Sequence, residues 1–398
     1  MDFSLNDEQR EWQAKARKFA DEDIRPLSLA RDRILDPAQT WDWDLFKKGS
    51  KLGFRTIAVP KEYGGPGADF VTQTIVMAEL ARGDSGIAKG FSQNWKWSHL
   101  IASVCTPEQK ERFLTAFLAD DTFVMGKGIT EPNAGSDNRL PPEDDVRAGL
   151  KLKAERKGDE WILNGEKCFI ANGNIGKLFF VDARSDPNKN VKDGVTMFLV
   201  PRDTPGFRSG KVFNKSGWRF YQNAELIFDN ARVPQANVIG QSGGHGKLDK
   251  GERTGGDLFG DLELAANALG VCMSACESAM TLAKSRTQGG KPLIEQQTVQ
   301  LKLGRMNMLT EALRSFVLRV AWEHDQKLPS TNGGFVMNFS TDVIQEVTQL
   351  NMDLHGAAGF TMDAHANKLV RDGIIWTHLA GDNVQRMKVV RRLAKATK

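Results

Sequence analysis

"EWILNGEKCFIANG" (160–173) sets two β-prone apolar runs on either side of an Asn164-Gly165 pair. Asn-Gly suits a tight turn whose central residues need positive φ, so the segment predicts a β-hairpin. Downstream, "KLFFVDAR" (177–184), "VTMFLVPRD" (195–203) and "AELIFDNARV" (224–233) are further strand candidates with turn residues between them. They predict a β-domain over 121–238.

The pattern on either side is helical. Near the start, "NDEQREWQAKARKFADEDI" (6–24) offers Asn6 as an N-cap and spaces Trp12, Ala16, Phe19 and Ile24 along one helical face. "VPKEYGGPGAD" (59–69) interrupts the helical period, which resumes in "TQTIVMAELARGDSGIAKGF" and "TPEQKERFLTAFL". The stretch "QSGGHGKLDKGERTGGD" (241–257) is glycine-rich and charged, and it is expected to be mobile. In "DLELAANALGVCMSACESAMTLAKSR" (261–286), small and apolar residues occupy more than one side, which predicts a helix buried among helices. The expectation is an α+β chain of three domains: helical over 1–120, a β-barrel or sandwich over 121–238, and a four-helix bundle over 239–398.

Composition narrows the function classes. Of 398 residues, 40% are hydrophobic and 26% charged, as in an ordinary globular protein. A net charge of +4 gives no reason to expect a nucleic-acid partner. No run approaches the roughly 18 apolar residues of a membrane-spanning helix, and the N-terminal stretch lacks the pattern of a signal or transit peptide. Cys105, Cys168, Cys272 and Cys276 suggest neither a disulfide framework nor a metal site, so a cytoplasmic location is expected.

"GITEPNAGSDN" (128–138), at the entrance to the β-domain, groups Thr130, Ser136 and the amides around Gly135 in a tight loop. Such a loop can hold a polar ring or a phosphate without covering it with side chains.

This loop resembles the "TEPxAGSD" motif of the acyl-CoA dehydrogenase family, and the similarity extends over most of the chain. "PKEYGGPGAD", "AERKGDEWILNGEKCFIANG", "ARSDP", "VPRDTPGF", "FDNARVPQANVIG", "SRTQGGKPLIEQQTVQLKLGRM" and "GAAGFTMD … KLVRD" match family segments in order. The resemblance implies FAD as cofactor, with Ile129, Thr130, Gly135 and Ser136 facing the flavin ring and Phe169 lying against it. Ala171 stands where a hydroxyl residue is usual, and Asp353 where a flavin-facing glutamine is common. It further implies that Arg286 meets the FAD pyrophosphate of a neighbouring subunit, with Gln297 and Gly356 at cofactor-contacting positions, in a homotetramer. An arginine suits that role because its planar fork pairs with phosphate oxygens. Ser185 is expected to contact the CoA portion. "GFSQNWKWSHLI" (90–101), with Ser92, falls where relatives form a wall of the acyl pocket.

The departures are equally informative. Relatives remove the α-proton of the acyl thioester with a glutamate near the C-terminus, in a segment like "Y-E-G-T-x-x-I-Q-R". Anchoring on Val384-Gln385-Arg386 puts Leu379 or Ala380 at that glutamate. The alternative home of the base, on the bundle's first long helix, falls near Gly260, with Asp261 beside it where arginine is common. Asp382 is the nearest carboxylate in sequence and the candidate substitute; capping a helix is its competing role. Glu263 and Asp261 are further candidates, each weighed against structural pairing, and His378 reads as structural. The implied activity is FAD-dependent α,β-desaturation of an atypical, cyclic or functionalised acyl-CoA thioester, passing electrons to an electron-transfer flavoprotein or similar acceptor. Alternatives are a lyase- or desulfinase-like reaction on acyl-CoA, a flavin oxidase or monooxygenase, and a silent flavin-binding subunit.

Overall fold

The structure is a computed structural model. It describes residues 4–138, 145–240, 250–328, 332–379, 386–387, 390–391 and 393–394, with backbone alone over 250–259. Six helices come first: α1 (Asp7–Phe19), α2 (Arg25–Asp32), α3 (Trp43–Lys51), α4 (Phe70–Gly83), α5 (Ser85–Val104) and α6 (Pro107–Ala119). Asn6 caps α1 as expected: its side chain accepts from Gln9 N at 2.8 Å while Gln9 reaches back to Asn6 N, a reciprocal capping box. The break at 59–69 contains Gly64 and Gly67 in left-handed backbone, at φ 85° and 60°.

Strands follow: β1 (Met125–Gly128), β2 (Lys153–Lys157), β3 (Glu160–Ala171), β4 (Leu178–Arg184), β5 (Val195–Pro201), β6 (Phe207–Val212), β7 (Asn223–Pro234) and β8 (Val238–Ile239). They form one sheet in the order β6-β7-β3-β2-β4-β5-β8, with β1 parallel to β4. Every residue of β4 is buried. Phe179, Val181 and Ala183 face the interior of the β-domain, whereas Leu178 and Phe180 pack on α5 and α6 through Trp97, Ile101 and Phe113. A strand covered on both faces reads as a continuous apolar run, as "LFFV" does.

Asn164-Gly165 does not make the expected hairpin turn. Both residues lie inside the continuous strand β3, and the β2–β3 turn falls at Gly158-Asp159, with Gly158 at φ 62°. Gly165, at φ 134°, forms a bulge where the β3–β7 register shifts, and Leu152 packs where its side chain would lie. Asn164 Oδ1 accepts from Asn230 N across the bulge. The positive φ that favours a turn serves a bulge equally well, and pairing with β7 decides between them.

The chain then enters α7 (Lys250–Ser285), a short β9–β10 ribbon (Thr287–Gln288 and Lys291–Pro292), α8 (Gln297–Asp325), α9 (Asn332–Leu354) and α10 (His365–Ile374). The glycine-rich stretch expected to be mobile is therefore helical from Lys250 onward; 241–249 lie outside the described residues. α7 packs against α4, α5, α8 and α9, which explains apolar residues on several of its sides. Cys105, Cys168, Cys272 and Cys276 are buried and unbridged. Among the described residues, no helix is long and apolar enough to cross a membrane.

Candidate functional site

The 128–138 loop is held from beneath. Glu131 is buried, and its carboxylate accepts from Lys151 N at 2.6 Å, Leu152 N at 2.9 Å and Lys167 Nζ at 2.7 Å. Lys167 also donates to Ile129 O at 3.2 Å, and Thr130 O accepts from Cys168 N at 2.9 Å. Burial lowers the Lys167 pKa, and the facing Glu131 opposes that shift. Asp137 ties the far end by accepting from Gly135 N and Gly149 N. Glu131 and Lys167 escaped the sequence reading, although a lysine amid the β-prone run of β3 was a visible oddity.

One residue beyond Cys168, Phe169 presents its ring outward, 58% exposed, from left-handed backbone at φ 57°. That conformation is uncommon and unfavourable for a bulky residue and persists only where its surroundings over-determine it. Here Asn223 Nδ2 donates to Phe169 O at 2.8 Å, and the ring leans on Phe213 with centroids 4.3 Å apart.

The segment after β6 carries this platform to the helices. Lys215 Nζ donates to Tyr221 O at 2.5 Å and to Asn223 Oδ1 at 2.6 Å. Burial pushes the Lys215 pKa down to about 7, with Asp372 opposing and Arg219 reinforcing the shift. Gly217 lies so close to the Arg371 carbonyl of α10 that any side chain there would clash. Trp218 N donates to Asp372 Oδ1 at 2.7 Å, and the Trp218 and Trp376 rings meet edge-on at 5.0 Å. Buried Lys368 bridges Asp84 and Asp372 at 2.9 and 2.6 Å, while Arg371 pairs with Asp32. Thus α10 is clamped to both the first helices and the β-domain, which sets the direction of the chain up to Leu379.

A second polar cluster lies where α5, α7 and this segment meet. Lys89 Nζ bonds both oxygens of buried Glu263, at 2.7 and 2.8 Å, and Ser92 Oγ bonds the same carboxylate. Tyr221 Oη donates to Gln93 Oε1 at 3.4 Å.

Thr130 O, bonded to Cys168 N, sets Ile129 and Thr130 beside the end of β3 that carries Phe169 and Ala171, with Gly135 and Ser136 further along the same loop. Ile129, Thr130 and Ala171 are half-buried, and Gly135 and Ser136 are exposed with open space where a Gly135 side chain would stand. Arg286 (after α7), Gln297 (opening α8) and Gly356 (after α9) are exposed and belong to the bundle. Asp353 is exposed and pairs with Lys302. Ser185 Oγ shares a 2.7 Å hydrogen bond with Thr196 Oγ1 and donates to Gly194 O. Ser92 is fully buried on Glu263 rather than lining an open wall. Leu379 packs against the large apolar cluster that contains Trp376. Ala380 and Asp382 lie outside the described residues.

A flat aromatic cofactor fits this rim. An outward phenyl ring held in left-handed backbone, edged by a glycine loop with room beside it, offers stacking area and hydrogen-bonding groups together.

Models of the acyl-CoA dehydrogenase N-terminal, middle and C-terminal domains match residues 6–121, 126–231 and 260–394. The chain is 31% identical to a probable acyl-CoA dehydrogenase, YngJ, of Bacillus subtilis, over 99% of this chain and 100% of that protein. It is 30% identical to an acryloyl-CoA reductase (NADH) of Anaerotignum propionicum, over 99% and 96% of the two chains. The solved butyryl-CoA dehydrogenase of Megasphaera elsdenii superposes with a TM-score of 0.89 at 30% identity, covering 99% of this chain and 100% of that one.

Proposed function

The chain belongs to the acyl-CoA dehydrogenase family of flavoprotein oxidoreductases, and on that basis we propose that it binds FAD and desaturates an acyl-CoA thioester whose acyl chain is cyclic or functionalised. The observation that carries the cofactor assignment is the outward ring of Phe169 beside the 128–138 loop. FAD, when bound, supplies the hydride acceptor. Phe169 supplies the stacking surface, while Ile129, Thr130, Gly135 and Ser136 supply the hydrogen-bonding rim. Ala171 leaves one customary hydrogen bond unmade. The exposure of Arg286, Gln297 and Gly356 supports a role toward the pyrophosphate of a neighbouring subunit in a homotetramer. Ser185 is assigned to the CoA end of the substrate, whereas Ser92, buried and bonded to Glu263, is withdrawn from the acyl end.

Asp382 is the proton acceptor in this reading, because Leu379 is apolar where relatives carry the base. Removal from water would raise its pKa and strengthen it as a base. Electrons then leave to an electron-transfer flavoprotein or a similar acceptor. The buried, unbridged cysteines fit a cytoplasmic location.

Leu379 also favours a second reading, in which the same fold and flavin serve a lyase- or desulfinase-like reaction on acyl-CoA or an oxidase or monooxygenase reaction. Anaerobic titration separates the two. Bleaching of the bound flavin by acyl-CoA thioesters, lost on Asp382→Asn, supports desaturation. Bleaching by reduced nicotinamide alone supports the second reading. Protein that neither carries nor takes up flavin overturns both.

A further inference from the structure

α4, α5 and α7 enclose a small cavity lined by Phe70, Gln73, Thr74, Trp95, Leu262 and Glu263. It has room for about one water-sized group. Gln73 is 93% buried, since only 7% of its surface is exposed. Its amide orientation is set: Nε2 donates to Ala68 O at 2.8 Å, which leaves Oε1 as the acceptor. Among the described residues, no donor reaches that oxygen. A buried carbonyl oxygen without a partner is costly, and few survive in native proteins unless a ligand or a water satisfies them.

Resting on the acyl-CoA reading above, we infer that this cavity recognises a neutral hydroxyl on the acyl chain, with Gln73 Oε1 as its acceptor. Three features of the cavity specify that group. Its orphaned atom is an acceptor, so the ligand must bring a donor. Its one charged wall residue, Glu263, is already neutralised by Lys89, which bonds both carboxylate oxygens. An ammonium or a carboxylate on the ligand would therefore add an uncompensated buried charge, whereas a hydroxyl adds none. The remaining wall, Phe70, Trp95 and Leu262, is apolar, and the volume admits a group of hydroxyl size and nothing larger.

The helices that line the cavity, α5 and α7, also carry the positions and contacts that lead toward the proposed cofactor loop. Trp95 belongs to the stretch that the resemblance assigns to the acyl-pocket wall. On α7, Glu263 lies one turn beyond Gly260, the position that matches an alternative home of the family's base. From α5, Gln93 joins Tyr221, whose carbonyl holds Lys215 beside Asn223 and Phe169. Gln73 and Glu263 are thus specificity residues in this assignment; neither is a proton acceptor.

The test is calorimetric binding to the flavin-loaded full-length protein. The probes are a series of hydroxyacyl-CoA thioesters, from butyryl to octanoyl, that differ in hydroxyl position. Each is compared with its unsubstituted, amino-substituted and carboxy-substituted counterparts. At least one hydroxyl compound should bind roughly tenfold or more tightly than its unsubstituted counterpart, because the unsubstituted chain leaves Gln73 Oε1 unpaired. Gln73→Met should bring that ratio close to one. Equal affinities in the wild type, or a preference for the amino or carboxy compounds, overturn the hydroxyl assignment and leave the cavity to a bound water. If no acyl-CoA of any kind binds, the acyl-CoA reading itself falls and this inference falls with it. The wild-type comparison decides the matter even if Gln73→Met does not fold.

Discussion

Lys167 Nζ lies 2.7 Å from Glu131 Oε1, and the two side chains are buried under the 128–138 loop. The same carboxylate accepts two backbone amides from the segment leading into β2. One ion pair therefore joins β3, the 128–138 loop and the start of β2. Lys167→Met would leave a buried carboxylate with only its two amides. Removing one partner of a buried pair costs about 3–5 kcal/mol. Chemical denaturation should show a loss of that size, and the purified variant should retain less flavin. The double variant Lys167→Met, Glu131→Gln should lose less than the two single losses added, as expected of groups in direct contact.

Phe169 separates stability from binding. Its ring is mostly exposed, and its main protein contact is Phe213. Such an aromatic pair contributes about 0.5–1.5 kcal/mol. Phe169→Ala should therefore lower the unfolding free energy by about 1.5 kcal/mol at most, while weakening flavin binding about a hundredfold in an apoprotein titration. Phe169→Trp should keep the affinity. Equal losses in stability and affinity on Phe169→Ala would contradict the platform role.

Ala171 is the converse case. At this half-buried position, Ala171→Ser supplies the hydroxyl that the family resemblance leads one to expect there. A new hydrogen bond contributes a net of about 0.5–1.5 kcal/mol. Flavin should bind about two- to tenfold more tightly, with a shift in its visible absorption. Unchanged affinity would show that the side chain does not face the ring.

His365 gives a pH signature. Its Nε2 is 3.1 Å from Ser274 Oγ. Burial, reinforced by Lys368, Arg25 and His355 and opposed by Asp84, pushes its pKa down from 6.5 to about 4. Between pH 4 and 6.5 the unfolded chain binds a proton that the folded protein does not, so stability rises with pH across that window. Above it both forms are neutral and the contribution is flat; below it both are protonated and the penalty is complete. The penalty is on the order of 3 kcal/mol. His365→Gln should flatten the stability profile between those limits in denaturant titrations at a series of pH values. A parallel profile would assign the acid sensitivity to other groups.

By itself the amino-acid sequence determined the order helical, β, helical. It did so because the 3.6- and two-residue periods, the Asn6 cap and the Gly64/Gly67 break are local properties of the chain. It also carried the resemblance of the 128–138 loop, and with it the family to which the chain belongs. Only the tertiary structure decided what Asn164-Gly165 does, because a positive-φ glycine serves a turn or a bulge and pairing with β7 selects the bulge. The same holds for the groups distant in sequence that come together in the fold: Glu131 under Lys167, Trp218 on Asp372, and Gln73 with Glu263 around one cavity. A buried polar side chain is defined by its partner, and partners 36 or more residues away, as in the Lys167–Glu131 pair, leave no periodic trace in the sequence.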